Sequence, residues 1–341
     1  MSAAAHGPER TGVLLVNSGT PTAATPAAVR AFLARVHADR RIVDLPRLLW
    51  LPILYGLVLP RRPQRVAQKY RLVWMESGAP LRVLTEELAA QLRAELARRP
   101  LPPLRVEVGM LYSPPELRDA LERLRAAQLQ RILVLPLFPQ SCGATTGAVR
   151  DAVARLTRDW QAPPELRFVD GYHAYPPYIE ALRESVAEHW QAHGRGDHLL
   201  MSFHGIPQAR VAAGDPYARE AHATARLLAA ALALAEGSWS VSFQSRFGAA
   251  RWTSPYTQEV LRAFPARGIR AVSVVCPGFA VDCLETLEEI NIENRAAFLA
   301  AGGTRFEYIP CLNARAAHAR AHADGIELEV RGALPLEELR G

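Results

Sequence analysis

The chain of 341 residues carries one lysine, Lys69, among 40 basic residues, and only four cysteines. It also has no apolar run near the roughly 20 residues that a bilayer-crossing helix needs. Each shortage excludes something. Cys142, Cys276, Cys283 and Cys311 form no C-x-x-C pair, which removes zinc ribbons and thioredoxin-like redox sites and leaves free thiols of a reducing compartment as the expectation. The formal charge of +6 is scattered over arginines, with no basic helix interleaved with aromatics, so no nucleic-acid partner is expected. Residues 1–10 lack a basic segment followed by an apolar one, so no secretion signal is expected. Neither G-x-G-x-x-G nor G-x-x-x-x-G-K-[ST] is found at a turn, which leaves dinucleotide and P-loop nucleotide sites unsupported.

What is present is an ordinary globular composition, 49% apolar and 22% charged, and a length that at roughly 150 residues per domain implies about two domains. Short apolar or β-branched runs at 13–16, 104–108, 131–135, 166–169, 199–203, 239–243, 269–275 and 305–309 alternate with Ala/Leu/Arg-rich stretches of helical period, such as 84–99 and 218–235. That alternation predicts parallel sheets flanked by helices. Two strands run into the same Gly-Pro turn, Asn17-Ser18-Gly19-Thr20-Pro21 and Phe203-His204-Gly205-Ile206-Pro207, which makes Ser18 and His204 equivalent. Two others close on proline, at Pro136 and Pro277. The first interval, from glycine turn to proline, is about 45 residues longer than the second. The expectation is two doubly wound, Rossmann-like α/β halves related by duplication. They cover residues 1–172, with an insertion at about 40–80, and 173–325, with a C-terminal tail at 326–341. The insertion holds LLWLPILYGLVL (48–59), broken by Pro52. It is either a buried core helix or an apolar lip that meets a membrane or an apolar ligand.

In open α/β sheets ligands bind beyond the carboxyl ends of the strands, and the two turns mark those ends. His204, at a strand end before a glycine, is placed to accept a proton or ligate a metal; a hydrogen-bonded structural histidine is the alternative. The second constellation is Asp282-Cys283-Leu284-Glu285-Thr286-Leu287-Glu288-Glu289-Ile290-Asn291-Ile292-Glu293. At α-helical period Glu285, Glu289 and Glu293 stack on one face, with Leu284, Leu287 and Ile290 on another. A solvated face behind a capping box at Asp282 is the ordinary explanation. Against it, stacked like charges with no cation interleaved repel, a cost that a path for cations or protons would explain.

These residues lie within a series of segments through which the chain resembles the ferrochelatase family. The segments are LLVNSGTP (14–21), KYRLVWMESGAPL (69–81), FPQSCGATTGAV (138–149), SFHGIP (202–207), GDPY (214–217), FQSRFG (243–248), WTSPYT (252–257) and CPGFAVDCLETLEEI (276–290). The resemblance implies two Rossmann-like halves around a porphyrin cleft. It also implies a cytoplasmic enzyme of haem biosynthesis that inserts ferrous iron into protoporphyrin IX, releasing two protons. By the same resemblance His204 and Glu285 are the catalytic and metal-binding pair, set on opposite sheets of the cleft rim. Asp282, Glu289 and Glu293 would continue an acidic path for protons or metal. Ser18, Tyr70, Ser141 and Trp252 would meet the porphyrin, and Arg61 or Arg62 its propionates. The lip would dock peripherally on the inner face of the cytoplasmic membrane, and the chain would act as a monomer.

Several positions depart from the family pattern. Ser18 stands where a bulkier side chain is usual, Leu111 where an arginine often precedes Tyr112, and Ser141 where tyrosine is common. Ala79 replaces a serine and Ala221 a cysteine. These positions bear on the porphyrin pocket rather than on the His/Glu pair, and the lack of tyrosine at Ser18 favours protoporphyrin over coproporphyrin. No cysteine cluster follows Cys311, so neither an iron–sulfur cluster nor any other tightly bound cofactor is expected; iron is a substrate. The competing readings are a cobalt or nickel chelatase and a non-catalytic porphyrin carrier.

Overall fold

The computed structural model describes residues 10–248 and 250–332. The first half runs β1 (Thr11–Asn17), α1 (Pro26–His37), α2 (Arg47–Ile53), a π-helical turn (Leu54–Val58), α3 (Leu59–Val73), α4 (Pro80–Leu96), β2 (Arg105–Met110), α5 (Leu117–Ala126), β3 (Arg131–Pro136), α6 (Thr146–Thr157) and β4 (Glu165–Phe168). The second runs α7 (Pro176–His193), β5 (His198–His204), α8 (Gln208–Ala212), α9 (Tyr217–Ala231), β6 (Trp239–Gln244), α10 (Thr257–Ala263), a 3₁₀ turn (Pro265–Arg267), β7 (Ala271–Val275), a π-helix (Glu285–Asn294), α11 (Arg295–Ala300), β8 (Arg305–Ile309) and α12 (Ala316–Val330). All eight expected strands form. They build two parallel four-stranded sheets of the same order, β2-β1-β3-β4 and β6-β5-β7-β8.

Strand alternation assigns the faces. Val13 and Leu15 of β1 join Leu88, Ala89 and Leu92 of α4 in one continuous core that also takes α7, α9, α12 and strand residues of both sheets. Leu14 and Val16 turn instead to α5 and α6, and Leu200, Val272 and Val274 of the second sheet turn to α10, α11 and the π-helix. α12, although last in the chain, packs on α4 of the first half as well as on α7. It runs unbroken across position 326, the expected start of a C-terminal tail; residues 333–341 lie outside the described residues.

The duplication extends to individual hydrogen bonds. Met110 and Phe243 each donate a backbone N–H to a proline carbonyl, Pro115 and Pro255, both at 2.8 Å. Asn17 pairs with Met110 and Phe203 with Phe243, which makes Ser18 the counterpart of His204. Two residues on, the Thr20 N–H donates to Ser113 Oγ at 3.0 Å and the Ile206 N–H to Thr253 Oγ1 at 3.1 Å. The closing prolines do not match. Pro136 pairs with Val16, while Met201 pairs with Val275, so the register puts Cys276 rather than Pro277 opposite Pro136.

The insertion is amphipathic, so one face of residues 48–59 is buried as a core helix would be and the other is exposed. Trp50, Leu54 and Leu59 are buried with Leu33 and Ala34 of α1, and Trp50 Nε1 donates to the His37 carbonyl at 2.6 Å. Leu48 is 91% exposed, and Leu49, Ile53, Tyr55 and Leu57 are exposed beside it. Pro52 stays inside α2, and the π-helical turn that follows carries the chain into α3. Among the described residues, no helix is long and apolar enough to cross a membrane.

Candidate active site

His204 is the last residue of β5 and is half-buried. Its Nδ1 lies 2.7 Å from the Gly205 carbonyl. A carbonyl only accepts, so Nδ1 carries a proton, and whenever Nε2 is unprotonated the ring offers an acceptor there. Behind it, Trp252 packs against Gly205: an added β-carbon there would come 3.3 Å from Trp252 Cε3 and 3.0 Å from the Gln244 carbonyl. Trp252 Nε1 donates to the Phe247 carbonyl at 2.8 Å, which fixes the indole.

Glu285 opens the π-helix that follows β7. The expected placement of His204 and Glu285 on opposite sheets is therefore corrected: His204 ends β5 and Glu285 lies on the helix that follows β7, so both belong to the second half, whose sheet sets β5 directly between β6 and β7. The facing wall comes from the first half. Tyr70 of α3 is buried with Ala67, Val29 and Leu284, and burial together with the Glu285 charge raises its phenol above the ordinary range. Thr20, from the turn after Ser18, donates to the Tyr70 hydroxyl at 3.5 Å, so the first glycine turn reaches the same place.

Glu289 is held by Ser245, whose backbone N–H donates to Oε1 at 2.7 Å and whose hydroxyl donates to Oε2. Ser245 adopts a left-handed backbone (φ 65°), which turns both donors toward one carboxylate. Burial pushes the Glu289 carboxyl up, against the opposing effect of the Ser245 donors and His204; the Glu285 charge adds to the rise. His204, Glu285 and Glu289 are thus close enough to share one electrostatic field.

The remaining sequence-predicted residues divide. The π-helix has i→i+5 backbone bonds, as from the Arg295 N–H to the Ile290 carbonyl, and the Asn294 side chain adds a bond from Nδ2 to the Glu289 carbonyl at 2.8 Å. The wider turn regroups the acids: Glu293 is exposed and shares a cation with Glu288, five residues earlier, rather than with Glu289. Lys69 Nζ reaches both carboxylates at 2.8 Å. Burial pulls its ammonium down, but the two glutamates more than compensate and leave it raised. The expectation of an acidic face without an interleaved cation is corrected accordingly. Asp282 is buried off this face, accepting from the Thr286 and Tyr308 hydroxyls on one oxygen and from Asn313 Nδ2 at 2.7 Å on the other.

Ser141 is buried too, its hydroxyl on the Asp170 carbonyl and its N–H on Glu220 at 2.6 Å. Arg61 is exposed on α3, and its neighbour Arg62 lies 4.5 Å over the Phe247 ring, tying the lip to the second half. Sequence reasoning missed Gln244, Ser245, Glu288 and Lys69 as site residues. All four lie in segments already quoted for the family resemblance, but no charge pattern or spacing singled them out as site residues.

A family model described as Ferrochelatase matches residues 10–329. A ferrochelatase of Aromatoleum aromaticum is 50% identical over 91% of this chain and 85% of that protein. One of Aeromonas hydrophila is 48% identical over 91% and 96% respectively. Among solved structures, the sirohydrochlorin chelatase SirB of Bacillus subtilis subspecies spizizenii, in complex with cobalt, superposes with a TM-score of 0.56 at 11% identity, covering 95% of this chain and 96% of that one. CbiX, described as the terminal enzyme for biosynthesis of sirohaem in denitrifying bacteria, gives 0.52 at 17% identity over 93% and 98%. These two show the shared fold.

Proposed function

The chain belongs to the ferrochelatase family, and from that premise we propose that it inserts ferrous iron into protoporphyrin IX, forming protohaem and releasing two protons. The observation that supports this placement of the site is that Gln244, the register partner of His204, donates its side-chain amide to the Glu285 carbonyl while the next residue, Ser245, holds the Glu289 carboxylate. Metallation must strip two pyrrole N–H protons and bring a flat ring's nitrogens onto the metal. The free Nε2 of His204 and the Glu285 carboxylate are the two acceptors, and either can ligate the incoming ion. Glu289, whose burial favours its protonated form, passes protons outward toward Glu293 and solvent. Ser18, Tyr70 and Trp252 supply porphyrin contact, and Arg61 meets the propionates from the lip. Iron is substrate in this reading, with no resident cofactor.

The test is anaerobic insertion of Fe²⁺ into protoporphyrin IX by the purified chain, followed as loss of porphyrin fluorescence. Turnover is expected; tight stoichiometric binding without turnover would make the chain a carrier. The same reading sets the exposed Leu48–Leu49 edge on the inner face of the cytoplasmic membrane, with a monomer docking through it. Vesicle flotation of the wild type, lost in Leu48→Glu/Leu49→Glu, checks that placement.

A further inference from the structure

We propose that Gln244 is the positioning residue that sets His204 and Glu285 against each other; the proposal rests on the assignment of those two residues given above. Gln244 ends β6 and is buried, and its register partner on β5 is His204. Two of three successive hydrogen bonds are made by it. His204 Nδ1–H donates to the Gly205 carbonyl at 2.7 Å, the Gly205 N–H donates to the Gln244 carbonyl at 2.8 Å, and Gln244 Nε2–H donates to the Glu285 carbonyl at 2.8 Å. The imidazole and the backbone of the glutamate are therefore joined through Gly205 and Gln244, the latter by its main chain on one side and its side chain on the other.

The amide cannot turn over. Its Oε1 accepts from the Ser202 hydroxyl at 2.7 Å and from Cys276 Sγ at 3.6 Å. The Ser202 hydroxyl lies 2.9 Å from Thr257 Oγ1, which lies 2.9 Å from Ser242 Oγ, all of them buried. A flipped amide would set its oxygen against the Glu285 carbonyl and its NH₂ against the Ser202 bond, leaving buried polar groups unpaired. Holding the carbonyl of the first π-helical residue fixes the rotation of that turn, and with it the direction of the Glu285 side chain. The first half supplies the contrast: the residue at the same register position is Leu111, which has no amide to offer.

The experiment compares wild type, Gln244→Met, Thr257→Val and Thr257→Ser in anaerobic Fe²⁺ insertion into protoporphyrin IX, with porphyrin affinity and Tm measured on the same preparations. Methionine keeps the length and removes the donor. We expect kcat to fall about 30-fold in Gln244→Met, as a misaligned pair should, with porphyrin KM and Kd within about 2-fold of wild type. Thr257→Val, which frees the Ser202 hydroxyl and loosens the amide, should lose about 4-fold in kcat, and Thr257→Ser should recover it. The proposal is overturned if Gln244→Met keeps kcat within about 3-fold, or if its kcat falls only in step with a raised KM and a lowered Tm. It is also overturned if Thr257→Ser fails to recover the loss. An inactive wild type would fault the functional assignment itself, and the proposal would fall with it.

Discussion

At the carboxyl end of its central strand each half makes the same turn, holds it with the same hydroxyl, and pairs it with the same register, yet the side chains at matched positions differ in kind. Ser18 faces His204, Leu111 faces Gln244, and Tyr112 faces Ser245. The segment after the third strand is an ordinary α-helix in the first half, α6, and the acidic π-helix in the second. The first half has spent its change elsewhere: its β1–β2 crossover grew the lip and α3, which bring Tyr70 and Lys69 across to the second. In the function proposed here, one copy of the fold carries the acid–base groups and the other brings Tyr70 against them. Duplication preserved the backbone hydrogen bonds because the turn depends on them, and left the outward side chains free to diverge.

The comparison breaks most visibly under substitution at the paired turn position. His204→Ala and Glu285→Gln should each lower kcat by about 10³-fold, within the range for removing a general base, with porphyrin Kd little changed. Ser18→Ala should stay within about 3-fold. Comparable losses at Ser18 and His204 in the fluorescence assay would mean that the chemistry is shared between the halves.

A second test concerns what fastens them. Burial lowers the His318 imidazole of α12 to about 4, and lowers its neighbour His322 as well. Both folded values lie below those of the unfolded chain, so the stability they contribute is present above pH 6.5 and is lost as pH falls from there through about 4. The loss from His318 is on the order of 3 kcal/mol. Denaturant unfolding at pH 7.5 and 4.5 should show that dependence shrink in His318→Asn.

The ion pairs sharpen the contrast further. Lys69 and Glu288 are 28% and 8% exposed, whereas Arg41 and Asp151, within the first half, are 42% and 59% exposed. Lys69→Met leaves a buried carboxylate without its cation and should cost about 2 kcal/mol, largely restored in Lys69→Met/Glu288→Gln. Arg41→Met should cost less than about 1 kcal/mol. Smallest of all, Glu293→Gln, at the exposed end of the acidic helix, should reduce kcat by less than about 5-fold, since solvent screens it and Glu288 still holds Lys69. An effect as large as that of Glu285→Gln, read in the same assay, would place the outer glutamate at the chemistry.

Much of this was legible in the sequence. Strand positions follow from short β-branched runs, and the duplication from two Gly-Pro turns, because a period of two residues and a sharp chain reversal leave local marks. His204 could be singled out because a histidine before a glycine at a strand end has few places to point. What stayed hidden depends on how elements meet. Asp282 and Glu289 read alike in an acidic run, yet Asp282 turns inward to Tyr308 and Asn313 while Glu289 turns to Ser245. Ser141 could not be told from an open pocket residue until its hydroxyl was found on the Asp170 carbonyl.

Local chemistry along the chain, read as periodicity, turn residues and motif, determined the two halves, their strands and the residues able to exchange protons. The tertiary structure alone decided that Gln244 joins the turn after His204 to the Glu285 backbone, that the acidic helix is π rather than α, and that the one lysine of the chain closes on it from the other half. The physical reason is that helical pitch and side-chain partners are settled by packing between segments more than 200 residues apart, as at Lys69 and Glu288, and no local spacing encodes a contact of that range.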